Sequence, residues 1–154
     1  MNYAEEIGKI LINRNWKIST TESCTGGLLS SKLVDISGSS AYITLNLVTY
    51  SNEAKKKMLG VILDQDGAVS EKCSFQMAEG LYKLTNSDIC VSTTGIAGPS
   101  GGTAEKPVGL MFSTIYTLKD FKTYKIQVDS NLSRIEIKER FTEEVLKNIY
   151  EFIK

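Results

Sequence analysis

At 154 residues, 42% hydrophobic and 23% charged, the chain has the length and balance of one soluble globular domain with a core of its own. Eighteen basic residues offset eighteen acidic ones, so no net field draws it to a nucleic acid or an anionic membrane. It has no histidine, which excludes Ser-His-Asp and Cys-His catalysis, His-ligated metals and the usual pH switch. A general base working near neutral pH must then be a carboxylate, or a Lys or Tyr of shifted pKa, or belong to the substrate.

Tyr3, Ile7, Ile10 and Leu11 share one face of a helix over residues 3–14, with Glu5 and Glu6 in its opening turn. Trp16 to Thr20 alternates as a short strand and runs into Glu-Ser-Cys-Thr-Gly-Gly (22–27), after which Leu28, Leu29, Leu33 and Ile36 resume helical spacing. Ser37 to Ser40 is a turn, and Ala41 to Tyr50 is a β-rich run of the kind buried in a sheet. Ser51 or Asn52 caps a short helix through Leu59 that Gly60 closes. Ser70 caps the next helix, 71–85, with Cys73, Met77, Leu81 and Leu84 on one face. Asp88 to Thr94 reads as a strand, Leu110 to Leu118 and Tyr124 to Val128 as a strand pair turning near Lys119-Asp120. From about Ser133, Phe141, Val145, Ile149 and Phe152 line a long final helix. Strands alternating with helices predict a single α/β domain over 1–154, with a mixed sheet because of the hairpin-like pair.

Cys24, Cys73 and Cys90 are too few and too scattered for a disulfide framework or a four-cysteine zinc site, and suit a reducing compartment. The acidic start Met-Asn-Tyr-Ala-Glu-Glu is unlike a secretory signal, and no apolar run approaches the roughly 18 residues of a membrane span. A cytoplasmic protein is expected.

Three segments carry chemistry. Ser23 sits at a strand-to-helix turn, where the N–H groups of Cys24, Thr25 and Gly26 face whatever its hydroxyl holds, a site for an anion or a developing oxyanion. Gly26 and Gly27 allow close approach of a ligand. Plain helix capping by Ser23 and Thr25 is the competing reading. Tyr50 ends a strand and Lys55 lies one turn into the next helix, where the positive helix terminus and burial would lower its pKa. A neutral lysine is the obvious base for a serine in a chain without histidine, although Lys55, Lys56 and Lys57 equally suit one solvated face. Residues 94–109 hold five of the twelve glycines and both prolines, Pro99 and Pro107. Such a loop supplies converging N–H groups for phosphate, without the signature of a P-loop or a dinucleotide fingerprint.

Together, Thr-Glu-Ser-Cys-Thr-Gly-Gly-Leu-Leu-Ser-Ser, Gly-Ser-Ser-Ala-Tyr, Val-Thr-Tyr-Ser-Asn-Glu-Ala-Lys, Gly-Ala-Val-Ser-Glu and Thr-Gly-Ile-Ala-Gly-Pro-Ser-Gly-Gly-Thr-Ala-Glu-Lys-Pro-Val-Gly resemble the CinA C-terminal domain family over residues 3 to about 150. That family includes the stand-alone bacterial nicotinamide-nucleotide amidohydrolase. The resemblance implies a three-layer α/β/α sandwich around a mixed, mostly parallel sheet, like anticodon-binding domains. It also implies metal-free Ser/Lys hydrolysis of nicotinamide mononucleotide to nicotinic acid mononucleotide and ammonia, in pyridine nucleotide recycling. No cofactor, nucleic acid or membrane is expected as a partner, and the family's habit implies a dimer or larger homo-oligomer.

Carried over by position, Ser23 is the nucleophile, Lys55 its base and Tyr50 the hydroxyl that assists them. The backbone of Cys24, Thr25 and Gly26 would hold the oxyanion. Gly27, Thr94, Gly95, Gly98, Gly101, Gly102, Thr103 and Arg134 would hold the substrate. Arg134 matches a family arginine without the glycine usual before it, and Lys138 stands where a second arginine often occurs. Leu45-Asn46-Leu47 replaces a smaller, glycine-containing run and is expected to reshape a pocket wall. Without an N-terminal molybdopterin-binding-like domain, the sequence resembles the short enzymatic form. The rival reading is a nucleotide-binding sensor or partner subunit that lacks turnover, which has no need of a nucleophile and base together.

Overall fold

A computed structural model describes all residues, Met1–Lys154. In chain order the elements are α1 (Tyr3–Arg14), β1 (Ile18–Glu22), α2 (Leu28–Val34), β2 (Ile43–Val48), α3 (Asn52–Leu59), α4 (Glu71–Thr85), β3 (Ile89–Gly95), β4 (Leu110–Tyr116), β5 (Phe121–Gln127) and α5 (Arg134–Ile153), with one 3₁₀ turn at Ser39–Ala41. Local chemistry sets most of these ends. The side chains of Asn2, Ser51, Ser70 and Ser133 each accept an N–H of their helix's first turn, and Ser133 with Glu136 completes a capping box. Asn15, Gly60 and Asn86 close α1, α3 and α4 in the left-handed conformation.

The five strands form one sheet in the order β2-β1-β3-β4-β5. β1 pairs in parallel with β2 and with β3, while β4 is antiparallel to both β3 and β5. Four of the five strands therefore run one way, the mixed and mostly parallel sheet expected. One face packs against α1, α2 and α5 through a core that includes Ile7, Leu29, Phe141 and Ile149. The other packs against α3 and α4 through Leu59, Met77 and Leu81. The result is a three-layer α/β/α sandwich, in which no helix is long and apolar enough to cross a membrane.

Three strands differ from their sequence reading, of which β5 only starts earlier, at Phe121 instead of Tyr124. β1 lies two residues later than the alternating run, and all five of its residues are buried, because helices cover both faces of this inner strand. β2, expected to be buried, is instead a partly exposed edge strand. Its apolar residues read as an inner strand because composition reports β-propensity and not position in the sheet.

This order fixes the site. From β1 the chain crosses to β2 on one side and, by way of α3 and α4, to β3 on the other. The carboxyl end of β1 is thus the switch point of the sheet, where open α/β sheets leave a crevice. Gly80 brings α4 against the end of α3: a Cβ there would lie 2.1 Å from the Leu59 carbonyl oxygen. Gly80→Ala is expected to cost about 2 kcal/mol, the usual scale of overpacking, measured by urea denaturation.

Candidate active site

Ser23 follows β1 directly, and Lys55 reaches it from the first half of α3. The Lys55 Nζ lies 3.0 Å from Ser23 Oγ, 2.9 Å from the Thr49 carbonyl oxygen and 2.9 Å from that of Tyr50. The residue is only 1% exposed and forms no ion pair with a carboxylate. Burial disfavours its charged form and lowers its pKa from the usual 10.5. Desolvation is the leading cause. The contacts also say where the lone pair goes. Carbonyl oxygens only accept, so the two N–H groups of a neutral amine are taken by Thr49 and Tyr50, and the lone pair is left facing the serine hydroxyl. When the amine is protonated it donates to all three, and Ser23 turns its own proton to the Tyr50 carbonyl, 3.4 Å away.

Tyr50 contributes through its backbone, which corrects the expected role for its hydroxyl. Its side chain is 57% exposed, and the hydroxyl oxygen accepts from the Arg134 guanidinium at 3.1 Å. Arg134 also donates to the Gly98 carbonyl oxygen at 2.6 Å. The first residue of α5 is thereby tied to both the Tyr50 segment and the glycine loop. Ser23 Oγ and Lys55 Nζ touch directly, with no Tyr50 hydroxyl between them.

The turn after Ser23 is less open than its sequence suggests. The Gly26 amide is taken by the Ser23 carbonyl oxygen, and the Gly27 amide by the Glu22 carboxylate. Glu22 also accepts from the amides of Leu29 and Ser30 and from the hydroxyls of Thr25 and Ser30. The start of α2 is therefore filled by a carboxylate of the chain itself, and Gly26 drops out as an oxyanion donor. The Ser23 amide is held by Thr93 Oγ1. The amides of Cys24 and Thr25 donate to no group of the chain. The Cys24 thiol is buried and pushed up to about 12 by that burial, so it is protonated and unreactive.

A cavity of about 280 Å³ opens over Ser23 and Lys55, walled by Tyr50, Asn52, Ala68, Val69, residues 94–98, Ser100, Gly101 and Arg134. It is lined by two basic residues and no acidic one, which suits an anionic ligand. Of the expected substrate-binding residues, Thr94, Gly95, Gly98, Gly101 and Arg134 line it. Gly27 packs instead toward Val48, Gly102 sits against Val108, and Thr103 closes a local turn with Lys106. The expectation for Leu45–Leu47 is also corrected: Asn46 accepts from the Thr20 hydroxyl, Leu47 packs against the core under α4, and none of the three reaches the cavity. Lys138, one turn beyond Arg134, is half-buried with its Nζ near Gly26. Asn52, Ala68 and Val69 were not singled out by sequence reasoning, although Ala68 and Val69 lie within the Gly-Ala-Val-Ser-Glu motif. A larger cavity, about 440 Å³, lies at the opposite end of the sheet among Arg14, Trp16, Asp88 and Phe152, without a paired nucleophile and base.

An α/β sandwich with a serine–lysine pair in a basic crevice at its switch point is the class of protein that fold and site define. The chain belongs to the CinA family: the model of the CinA C-terminal domain matches residues 1–153. A competence-damage inducible relative from Clostridium novyi is 48% identical over 134 residues, 85% of this chain and 32% of its own length. A CinA-like protein from Chloroherpeton thalassium is 45% identical over 158 residues, 99% of this chain and 38% of its own. The chain thus spans about a third of the length of these curated relatives. Among solved structures, the competence/damage inducible protein CihA of Agrobacterium tumefaciens superposes with a TM-score of 0.89 at 33% identity, covering 100% of this chain and 97% of that one. A CinA superfamily protein of Klebsiella pneumoniae gives 0.90 at 27% identity, covering 98% and 95%.

Proposed function

We propose that the chain is an amidohydrolase that converts nicotinamide mononucleotide to nicotinic acid mononucleotide and ammonia through an acyl-enzyme on Ser23. The observation that supports this reading is the Lys55–Ser23 contact of 3.0 Å, with the other two directions of the amine occupied by carbonyl oxygens. Ser23 Oγ attacks the carboxamide carbon as its proton passes to Lys55. The oxyanion of the tetrahedral intermediate takes the free amide of Cys24. The lysine then protonates the departing nitrogen, ammonia leaves, and an ester on Ser23 remains. Water, its proton taken by the again neutral Lys55, attacks that ester, and Lys55 returns the proton to Ser23 Oγ as the carboxylate product leaves. The backbone of the glycine loop and Arg134 hold the phosphate or ribose. We place the reaction in a cytoplasmic dimer or larger assembly.

The test is to incubate purified protein with nicotinamide mononucleotide and measure both products. Equal amounts of ammonia and nicotinic acid mononucleotide are expected, and tight nucleotide binding without turnover would make the protein a sensor instead. Arg134→Met is expected to raise KM about tenfold or more while kcat stays within a few-fold, because a binding charge lost from both ground and transition states acts on KM. An unchanged KM would remove Arg134 from the substrate.

A further inference from the structure

The most densely bonded polar group beside the proposed nucleophile has no part in the steps above. Glu22 is fully buried one residue before Ser23, and it faces no lysine or arginine: donors from Thr25, Gly27, Leu29 and Ser30 surround it. A carboxylate only accepts, and that fact gives direction to the neighbouring contacts. Thr25 must donate its hydroxyl to Glu22, at 2.6 Å. In the 2.9 Å contact between Thr25 Oγ1 and Thr93 Oγ1, the donor is then Thr93. Thr93, its proton committed, accepts the Ser23 amide at 3.2 Å. The chain of bonds runs one way, from Ser23 N–H to Thr93, to Thr25, to Glu22.

We infer that Glu22, Thr25 and Thr93 form a directional hydrogen-bond relay that holds the Ser23 backbone and leaves the Cys24 amide, on a residue that lines the cavity, as the oxyanion donor. The inference deepens the proposed acyl-transfer reading and rests on it for its catalytic consequence. The relay withdraws the Ser23 amide from the site, while Glu22 withdraws the Gly27, Leu29 and Ser30 amides at the start of α2. Of the two amides left without a partner on this pinned turn, that of Cys24 belongs to a residue lining the cavity, while Thr25 is fully buried. The Glu22 backbone extends the device to the base: its carbonyl oxygen accepts the Thr49 amide at 2.8 Å, and the Thr49 carbonyl oxygen accepts Lys55. Glu22, Thr93 and the Thr25 hydroxyl are thus positioning groups, acting through Ser23 and its turn.

Thr93→Val keeps the shape of the buried side chain and removes only its hydroxyl, while Thr93→Ser keeps the hydroxyl. Thr93→Val is expected to lower kcat about tenfold with KM within twofold of wild type, and Thr93→Ser to restore most of it. Hydrogen exchange at the Ser23 amide is read on the same proteins. It should quicken at least tenfold in Thr93→Val and return toward wild type in Thr93→Ser. Because exchange needs no turnover, a wild-type protein without amidase activity would overturn the proposed function while exchange still decides the relay. Equal Ser23 exchange in all three proteins would overturn it, as would a Thr93→Ser variant as impaired as Thr93→Val. Glu22→Gln provides the second variant, since its NH₂ cannot accept from the Ser30 amide and hydroxyl together with the remaining donors. Faster exchange across 23–27 than in wild type is expected, and unchanged exchange there would count against the carboxylate as the relay's end.

Discussion

Ser23→Ala is expected to reduce amide hydrolysis by about four orders of magnitude or more, because the bond-forming atom is gone and only binding and oxyanion contacts remain. Ammonia release from nicotinamide mononucleotide, followed with a chelator present, is the measurement. The variant should fold normally: Ser23 Oγ makes only the Lys55 and Tyr50 carbonyl contacts, and a methyl group fits in its place. Nucleotide affinity should be nearly unchanged. Activity close to wild type would exclude the serine mechanism outright.

Lys55 gives the second large effect, and it has two separable readouts. Its pKa in the folded protein lies below 10.5, because burial penalises the charged amine. In the free enzyme kcat/KM should therefore rise with pH through that lowered value and level off above it. Lys55→Arg should lose about three orders of magnitude or more, since guanidinium does not give up its proton at working pH. A fully active Lys55→Arg protein would reduce the lysine to a binding charge.

The same titration is visible in stability. Between the folded pKa and 10.5, the unfolded chain carries a proton on Lys55 that the folded chain does not. Unfolding then takes up protons, and stability rises with pH across that window. Below the folded pKa both states are protonated, and this residue adds no further pH dependence. In Lys55→Met that part of the rise should vanish when denaturation midpoints are compared across the window. An unchanged slope would mean that the amine is hydrated and its pKa unshifted.

The geometry also explains why a histidine-free chain can carry a base. A lysine beside a carboxylate would keep its charge, whereas Lys55 meets only dipoles: two carbonyl oxygens and a hydroxyl. Those contacts orient the neutral amine without a full opposite charge to hold the proton on it. The acidic residue nearest in sequence to Ser23, Glu22, has its oxygens committed to α2 and Thr25.

What the sequence determined by itself is what depends on neighbours in the chain. Helix starts at Tyr3, Asn52, Glu71 and Arg134 follow from caps at Asn2, Ser51, Ser70 and Ser133, each set by a hydrogen bond within about four residues. The nature of the proposed pair was legible too, because without histidine a serine at a strand-to-helix turn leaves few candidates for its base. The tertiary structure decided everything that rests on which segments meet. Ser23 and Lys55 are 32 positions apart, and they touch because β1 and β2 are neighbours with α3 folded back behind them. The Tyr50 hydroxyl turns to Arg134, 84 positions on, while its carbonyl oxygen faces Lys55. Glu22 reads in sequence as one more polar residue; only the inner place of β1 buries it and aims it at the start of α2. Side-chain identity is written residue by residue, but burial, and with it the pKa of Lys55 and the direction of every bond around Glu22, is set by elements brought together from distant parts of the chain.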